Sequence, residues 1–320
     1  MAGLPRQLEA AIFVVLHLAA GGTSVLPAIL QRAGDLPAIH PTDGDAIEDG
    51  CIYVAPPDHH LLVEDESVRL VRGPRENGHR PAIDTLFRSA ARVYGARSVG
   101  VILSGVLDDG AAGLAAVKAA GGHTVVQSPS DALYAGMPLA AIEGAHPHHV
   151  VSASEIAELL TELVARVPPD PADAAPVDEV IEESLVAVDR GSTEQPQPGK
   201  PSGFTCPECN GALWEAHEAG VLRFRCRTGH QFSLETLLTE QSESVEAAMW
   251  SALRALEERA AMLRRIAQRM TAHGNRRTAM RYARSAEDTV QHALTLREAL
   301  HSFHVPPEAE EEDEPIEQVP

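Results

Sequence analysis

Two kinds of apolar pattern alternate along the first half of the chain. Short unbroken apolar runs predict strands buried on both faces, and stretches with apolar residues three and four apart predict half-buried helices. Strands are predicted at Ala11–His17, Cys51–Ala55, Val99–Leu103, His123–Gln127 and His149–Ser152. Leu61–Val63 and Val68–Val71 flank the acidic turn Glu64–Glu66 and predict a short antiparallel pair. Helices are predicted at Ser24–Arg32, with Pro27 in the first turn, and at Ile83–Tyr94, Ala111–Ala120 and Ala132–Ala145. Ser152 and Glu155 fit a capping box opening a further helix to Arg166. Strands alternating with helices predict an α/β domain over residues 1–166, with a doubly wound, mostly parallel sheet.

The pattern changes after residue 166. Residues 167–201 are rich in Pro, Asp and Glu and predict a linker, with a short helix inside it at Pro176–Asp189. Over residues 202–235, Cys206-x-x-Cys209 is followed by Cys226-x-x-x-His230, with hairpin strands predicted at Leu213–Glu215 and Leu222–Arg225. Two short ligand pairs on tight turns supply the four N/S ligands of a tetrahedral zinc ion, the layout of a zinc ribbon. A redox C-x-x-C would leave Cys226 and His230 unexplained and has no βαβ context. Residues 236–303 predict a helical hairpin broken at His273-Gly274-Asn275. In its first helix Met249, Leu256, Leu263 and Met270 recur every seven residues beside Val245, Ala252 and Ile266, a coiled-coil-like seam compatible with self-association. Arg276, Arg277, Arg281 and Arg284 read as a solvated face.

Composition narrows the function classes. The 320 residues are 44% apolar, and charges, Gly and Pro interrupt every candidate membrane span. Met1–Gln7 leads into no secretory signal pattern, so a soluble cytoplasmic protein is expected. A net charge of −20 argues against a nucleic-acid partner. Much of the acid lies in residues 304–320, which read as a disordered tail.

The candidate chemistry lies at strand ends, where open α/β sheets carry their sites. His17 closes the first predicted strand, and Asp109 follows the Val99–Leu103 strand in the loop Ser104–Gly110. Taken alone, His17 fits a strand-end histidine bonded to a carbonyl. Five ordered segments change that reading: FVVLH (Phe13–His17), YVAPPDHHLLV (Tyr53–Val63), GHRPAIDTLFRSAA (Gly78–Ala91), GVILSGVLDDGAAGL (Gly100–Leu114) and VVQSPSDALYAGMP (Val125–Pro138).

Together they make residues 4–166 resemble the catalytic domain of chemotaxis protein-glutamate methylesterases of the CheB type, with a Rossmann-like fold. The C-terminal part resembles an extension carried by relatives without a receiver domain. The resemblance implies a Ser-His-Asp ester hydrolase acting on methylated chemoreceptors, with glutamine deamidation in some members and no catalytic cofactor. His17 matches the general base, Asp109 the acid orienting it, and the backbone at Val106 an oxyanion contact. Asp108 matches a loop residue, so the two acids are not a shared-proton dyad. The family's nucleophile sits in a G-A-S-[AT]-G-G turn upstream of the histidine strand, and no such turn occurs in this sequence. Ser24 and Ser104 lack that glycine-flanked setting. The expectation is a chain whose true start lies upstream of Met1, and a missing first strand would leave a neighbouring edge unpaired. The alternative reading is a non-catalytic signalling or scaffold protein that binds partner helices through the ribbon and hairpin.

Overall fold

The computed structural model describes residues 3–18, 20–166 and 199–303. The predicted linker helix at 176–189 and the acidic tail lie outside the described residues. The chain forms two compact units, one reaching Leu238 and the other starting at Thr239.

The first unit begins β1 (Ile12–Val14), α1 (Leu26–Ala33), β2 (Ala38–Ile39) and β3 (Ile52–Val54), then the antiparallel pair β4 (His60–Glu64) and β5 (Ser67–Val71). It continues α2 (Ile83–Tyr94), β6 (Val99–Ile102), α3 (Ala111–Ala119), β7 (His123–Gln127), α4 (Gly136–Ala145), β8 (His149–Val151) and α5 (Ala153–Arg166). The parallel strands form two sheets rather than the single sheet expected, ordered β1-β3-β2 and β6-β7-β8. Among the described residues β1 and β6 each have one ladder partner, so each presents an open edge. This shortens β1: its ladder ends with Ala55 N–H donating to Val14 O, so Val15–His17 continue unpaired where a strand was expected.

Helices shared between the sheets keep the core continuous. Phe87 of α2 packs on the clusters around Ile102 and Leu114 and around Tyr53 and Leu61, and Leu160 of α5 packs on both sheets from the other side. Helix α4 starts at Gly136, four residues later than expected, because Ala132–Ala135 form turns. Half of the capping box forms: Ser152 N–H donates to Glu155 Oε2 at 2.9 Å, while Glu155 N–H goes to the Ser152 carbonyl rather than to its hydroxyl.

The ribbon is an antiparallel sheet ordered β12-β11-β10-β9, made of β9 (Lys200–Thr205), β10 (Ala212–Glu218), β11 (Val221–Cys226) and β12 (Gln231–Phe232). Strand β9 falls partly in the stretch read as linker. Val221 packs against the core cluster under α3 and α4, so the ribbon lies on the α/β layer within one unit.

Helix α6 (Leu234–Ala272) runs into the second unit, where it pairs with α7 (Arg276–Phe303). The seven-residue row Met249, Leu256, Leu263, Met270 is half-buried as expected. Its companion row differs: Leu253, Ala260 and Ala267 are buried, and Val245, Ala252 and Ile266 are exposed. The opposing row explains the choice. Ala279, Ala286, Ala293 and Leu300 also recur every seven residues and are buried, and Leu253 packs with Ala293 and Leu300 across the seam.

Candidate active site

Asp109 is held by the chain that follows β6. Gly110, at φ +96°, turns the backbone into α3, and a Cβ there would lie 2.5 Å from Ile102 Cδ1. Asp109 is thereby pushed under the N-terminus of α2, whose preceding residue, Ala82, offers no side-chain cap. Asp109 serves as that cap from another element. Its Oδ2 accepts Ile83 N–H at 2.7 Å and its Oδ1 accepts Asp84 N–H at 3.3 Å. Asn77 Nδ2 adds a third donor to Oδ1 at 3.0 Å.

His17 closes this arrangement. Its Nε2 lies 2.7 Å from Asp109 Oδ2, an ion pair when the ring is protonated. Asp109 is buried while His17 is 21% exposed, so the ring bridges the core and the surface. Burial pushes the Asp109 carboxyl up, but the His17 bond and charge, the Ile83 N–H and the Asn77 amide outweigh it and hold the group well below its ordinary value. The sequence expectation that these residues meet is met through their loops, not through adjacent paired strands.

The ring of His79 stacks on His17, centroids 3.7 Å apart and planes 14° apart. Burial, then the charge of His17, pushes His79 down to about 4. A cleft of about 290 Å³ opens beside the pair, lined by His17, Leu18, Ala20, Arg75, His79 and Arg80. Arg80 is engaged by Asp58 at 2.5 Å, and Arg75 Nη1 reaches Glu208 at 3.1 Å.

The remaining loop residues fall into place around this pair. Val106 is 57% exposed, and its N–H has no hydrogen-bond partner among the described residues. The next residue, Leu107, has φ +58°, so the loop Gly105–Leu107 folds back sharply there. Asp108 turns away from Asp109 and accepts Thr236 Oγ1–H at 2.8 Å, so the adjacent acids are separate groups. Both candidate serines are locally engaged. Ser24 Oγ accepts Leu26 N–H at 3.3 Å, and Ser104 Oγ both accepts Tyr134 N–H and donates to Tyr134 O. No hydroxyl bonds the His17 ring among the described residues.

A second set of residues, which the sequence reading did not single out, lies behind Asp109. Arg88 of α2 pairs with Glu76 at 2.7 Å and with Glu218 of β10 at 3.4 Å. Arg223 of β11 pairs with Asp84 at 3.0 Å and with Glu76 at 3.4 Å. All five are buried. Burial, reinforced by the nearby Asp109 charge and opposed by Arg223, pushes Asp84 up to about 7. Its Oδ1 accepts Gly113 N–H at 2.6 Å, and a Cβ on Gly113 would lie 2.9 Å from Asp84 Cα. The one available signal was the arginine pair in VLRFRC, alternating with apolar residues on a single strand.

Cys206, Cys209, Cys226 and His230 converge as their spacing predicts. Their ligand atoms all lie within 4.8 Å of one another. Cys209 and Cys226 Sγ are 3.7 Å apart, Cys206 Sγ and His230 Nδ1 3.7 Å, and Cys226 Sγ and His230 Nδ1 3.5 Å.

A histidine bonded to a buried carboxylate beside a cleft, in a parallel α/β core, is an arrangement that can hold and move a proton. The chain belongs to the CheB methylesterase family, carboxylic ester hydrolases, whose profile matches residues 1–160. It is similar to a "Putative protein-glutamate methylesterase/protein-glutamine glutaminase" of Leptospira interrogans, 40% identical over 161 residues, which are 50% of this chain and 83% of that protein. It is also similar to a "Protein-glutamate methylesterase/protein-glutamine glutaminase" of Pyrococcus horikoshii, 35% identical over 50% of this chain and 45% of that longer protein. Among solved structures it is similar to the CheB methylesterase catalytic domain of Thermotoga maritima, with 33% identity, TM-score 0.48, and coverage of 50% of this chain and 87% of that one. Among the described residues no helix is long and apolar enough to cross a membrane.

Proposed function

We propose that the α/β unit hydrolyses glutamate methyl esters on chemoreceptor-type helices and deamidates glutamine in the same site. The observation that carries this reading is the 2.7 Å bond between His17 Nε2 and an Asp109 carboxylate already saturated with N–H donors. Asp109 fixes the ring, so Nδ1 is the nitrogen left to take a proton. In the reaction a serine hydroxyl gives its proton to His17 as its oxygen attacks the ester carbonyl. The oxyanion is met by the Val106 N–H. His17 then protonates the departing methoxide, releasing methanol, and water hydrolyses the acyl-enzyme to the glutamate carboxylate. Among the described residues no hydroxyl bonds the His17 ring, so this reading assigns no residue as the nucleophile.

The test is methanol release from a methyl-esterified receptor peptide, using the 320-residue chain and, separately, the product of the open reading frame that contains it. Release that disappears in His17→Ala is expected. Full activity in His17→Ala would overturn the assignment, and activity of residues 1–320 alone would place the nucleophile within them.

The ribbon in this reading holds a structural zinc ion. A tetrahedral site with Zn–S near 2.3 Å places its sulfurs about 3.8 Å apart, and one with Zn–N near 2.05 Å places S and N about 3.6 Å apart. The separations of 3.5–3.7 Å fit both. Four protein ligands leave no open position, so the metal supports folding and takes no part in the hydrolysis.

A further inference from the structure

The ribbon meets the catalytic pair through one residue. Asn77 lies in the loop between β5 and α2, at φ +51°, a left-handed conformation that Asn tolerates better than most residues. Its backbone N–H donates to Gln231 O at 2.8 Å, and its Oδ1 accepts Ser233 N–H at 3.1 Å. Its two amide hydrogens go to Asp84 Oδ2 at 3.1 Å and Asp109 Oδ1 at 3.0 Å. The side chain is 2% exposed, and this arrangement fixes its orientation, since a flipped amide would set its oxygen against two carboxylates. The two partners in the ribbon, Gln231 and Ser233, bracket β12, and β12 starts one residue after His230. The His230 carbonyl in turn accepts Cys226 N–H at 2.9 Å. A second tie runs from the other ligand turn, where Glu208, between Cys206 and Cys209, pairs with Arg75 of the cleft.

We infer that Asn77 is a positioning residue for the Asp109–His17 pair, and that the metal-loaded ribbon holds Asn77 in place, making the hydrolytic site dependent on ribbon metal. This rests on the reading of His17 and Asp109 as base and orienting acid. Metal fixes the two ligand turns relative to each other, which fixes β12. That in turn fixes the acceptor and donor on either side of Asn77, and the amide then holds Oδ1 of Asp109 while Oδ2 faces His17. Apart from metal, β12 pairs with β11 over two residues only, Phe224–Phe232 and Arg225–Gln231, and Gln231 bridges Glu76 in the loop that carries Asn77.

The experiment reads the hydrogen bond itself, independently of esterase activity. Proton NMR of the 320-residue chain follows the strongly deshielded ring N–H shared by His17 and Asp109, identified by its loss in His17→Ala. The zinc-loaded protein is expected to show this signal. Asn77→Ala and the isosteric Asn77→Asp, which keeps the acceptor and removes both donors, are expected to lose it while the amide pattern of β6–β8 persists. Chelation of the wild-type chain is expected to reproduce the loss, and restored zinc to reverse it. A signal that survives both substitutions overturns the role of Asn77. A signal that survives chelation, or collapse of the β6–β8 pattern on chelation, overturns the metal dependence, the latter by making zinc a global staple. Failure of the methanol assay with this signal still tied to Asn77 would refute the methylesterase reading alone.

Discussion

Replacing Arg223 by Met tests the buried ion network most directly. Arg223 is 1% exposed, with Nη2 3.0 Å from Asp84 and 3.4 Å from Glu76. Glu76 keeps Arg88 at 2.7 Å, so the substitution takes from Asp84 its one described ion-pair partner and leaves it the Asn77 and Gly113 hydrogen bonds and the more distant Arg88 charge. Removing one partner of a buried pair costs about 3–5 kcal/mol. Protonation of Asp84 relieves part of this, which makes the loss pH-dependent. The sign follows from linkage. An acid whose folded pKa is raised contributes fully below its unfolded value and loses that contribution as pH rises to the folded one. In the wild type this decline ends near pH 7, where Asp84 titrates. Without the lowering charge of Arg223 it continues past 7, at up to about 1.4 kcal/mol per pH unit. The assay is urea unfolding in zinc-containing buffer, followed by Trp214 of the ribbon in a Trp250→Phe background, since the chain has 2 tryptophans. At an m-value of about 2 kcal/mol/M, a 3 kcal/mol loss lowers the midpoint by about 1.5 M at pH 7. The gap to wild type should widen between pH 7 and 8.5. A gap that stays constant over that range, or is below about 1 kcal/mol at pH 7, would refute the placement of Asp84 and Arg223 as a functional ion pair.

Three further outcomes are expected. Asp109→Asn, assayed in whichever form releases methanol, should lower kcat about 10⁴-fold, the scale on which a triad with a misoriented base fails, and a loss under tenfold would remove Asp109 from its role. Freshly reduced protein should carry one zinc ion per chain by elemental analysis and Cys206→Ser substantially less, and protein that binds none would refute the ribbon assignment. His79, pushed down to about 4, binds fewer protons folded than unfolded, so its stabilisation is lost as pH falls from 6.5 toward 4. His79→Phe should therefore reduce the fall in unfolding midpoint between pH 6.5 and 4.5, and an unaltered fall would show that the stacked ring is not neutral.

The elements with strong periodicity were legible from sequence. Helix α2 and strand β7 occupy the predicted residues, because an amphipathic stripe and an unbroken β-branched run each have one way to bury their apolar side chains. The convergence of Cys206, Cys209, Cys226 and His230 was legible for the same reason, since short ligand spacings leave little choice of geometry. The His17–Asp109 meeting was reached through family resemblance, because local pattern says nothing about contacts 92 residues apart. Asn77 carries no local signal, since its role depends on a β-strand beginning more than 150 residues later. Arg223 was hidden by alternation: a charged residue in a strand reads as solvent-facing, and here the face it occupies meets three carboxylates instead of water. The companion row of α6 was misassigned because Val245 and Ile266 are more apolar than Ala260 and Ala267. Burial follows the row that faces Ala293 and Leu300, not the more apolar side chain.

The charged character of the contact between ribbon and α/β layer has a physical consequence. Buried ion pairs add little net stability compared with apolar packing of the same volume, so stability does not explain why Glu76, Glu218, Arg88 and Arg223 are there. Directionality does. An apolar interface tolerates a slip of an ångström with small loss, whereas guanidinium–carboxylate pairs lose hydrogen-bond geometry over that distance. Asn77 reaches two carboxylates at 3.0 and 3.1 Å while its other end is held by the ribbon, so a slip of that size would detach Asp109 from its third donor. Asp84 links the two systems, bonded to Asn77 on one side and Arg223 on the other. The ion network thus sets the register of the ribbon on the α/β layer, and the Asn77 amide passes that register to the carboxylate facing His17.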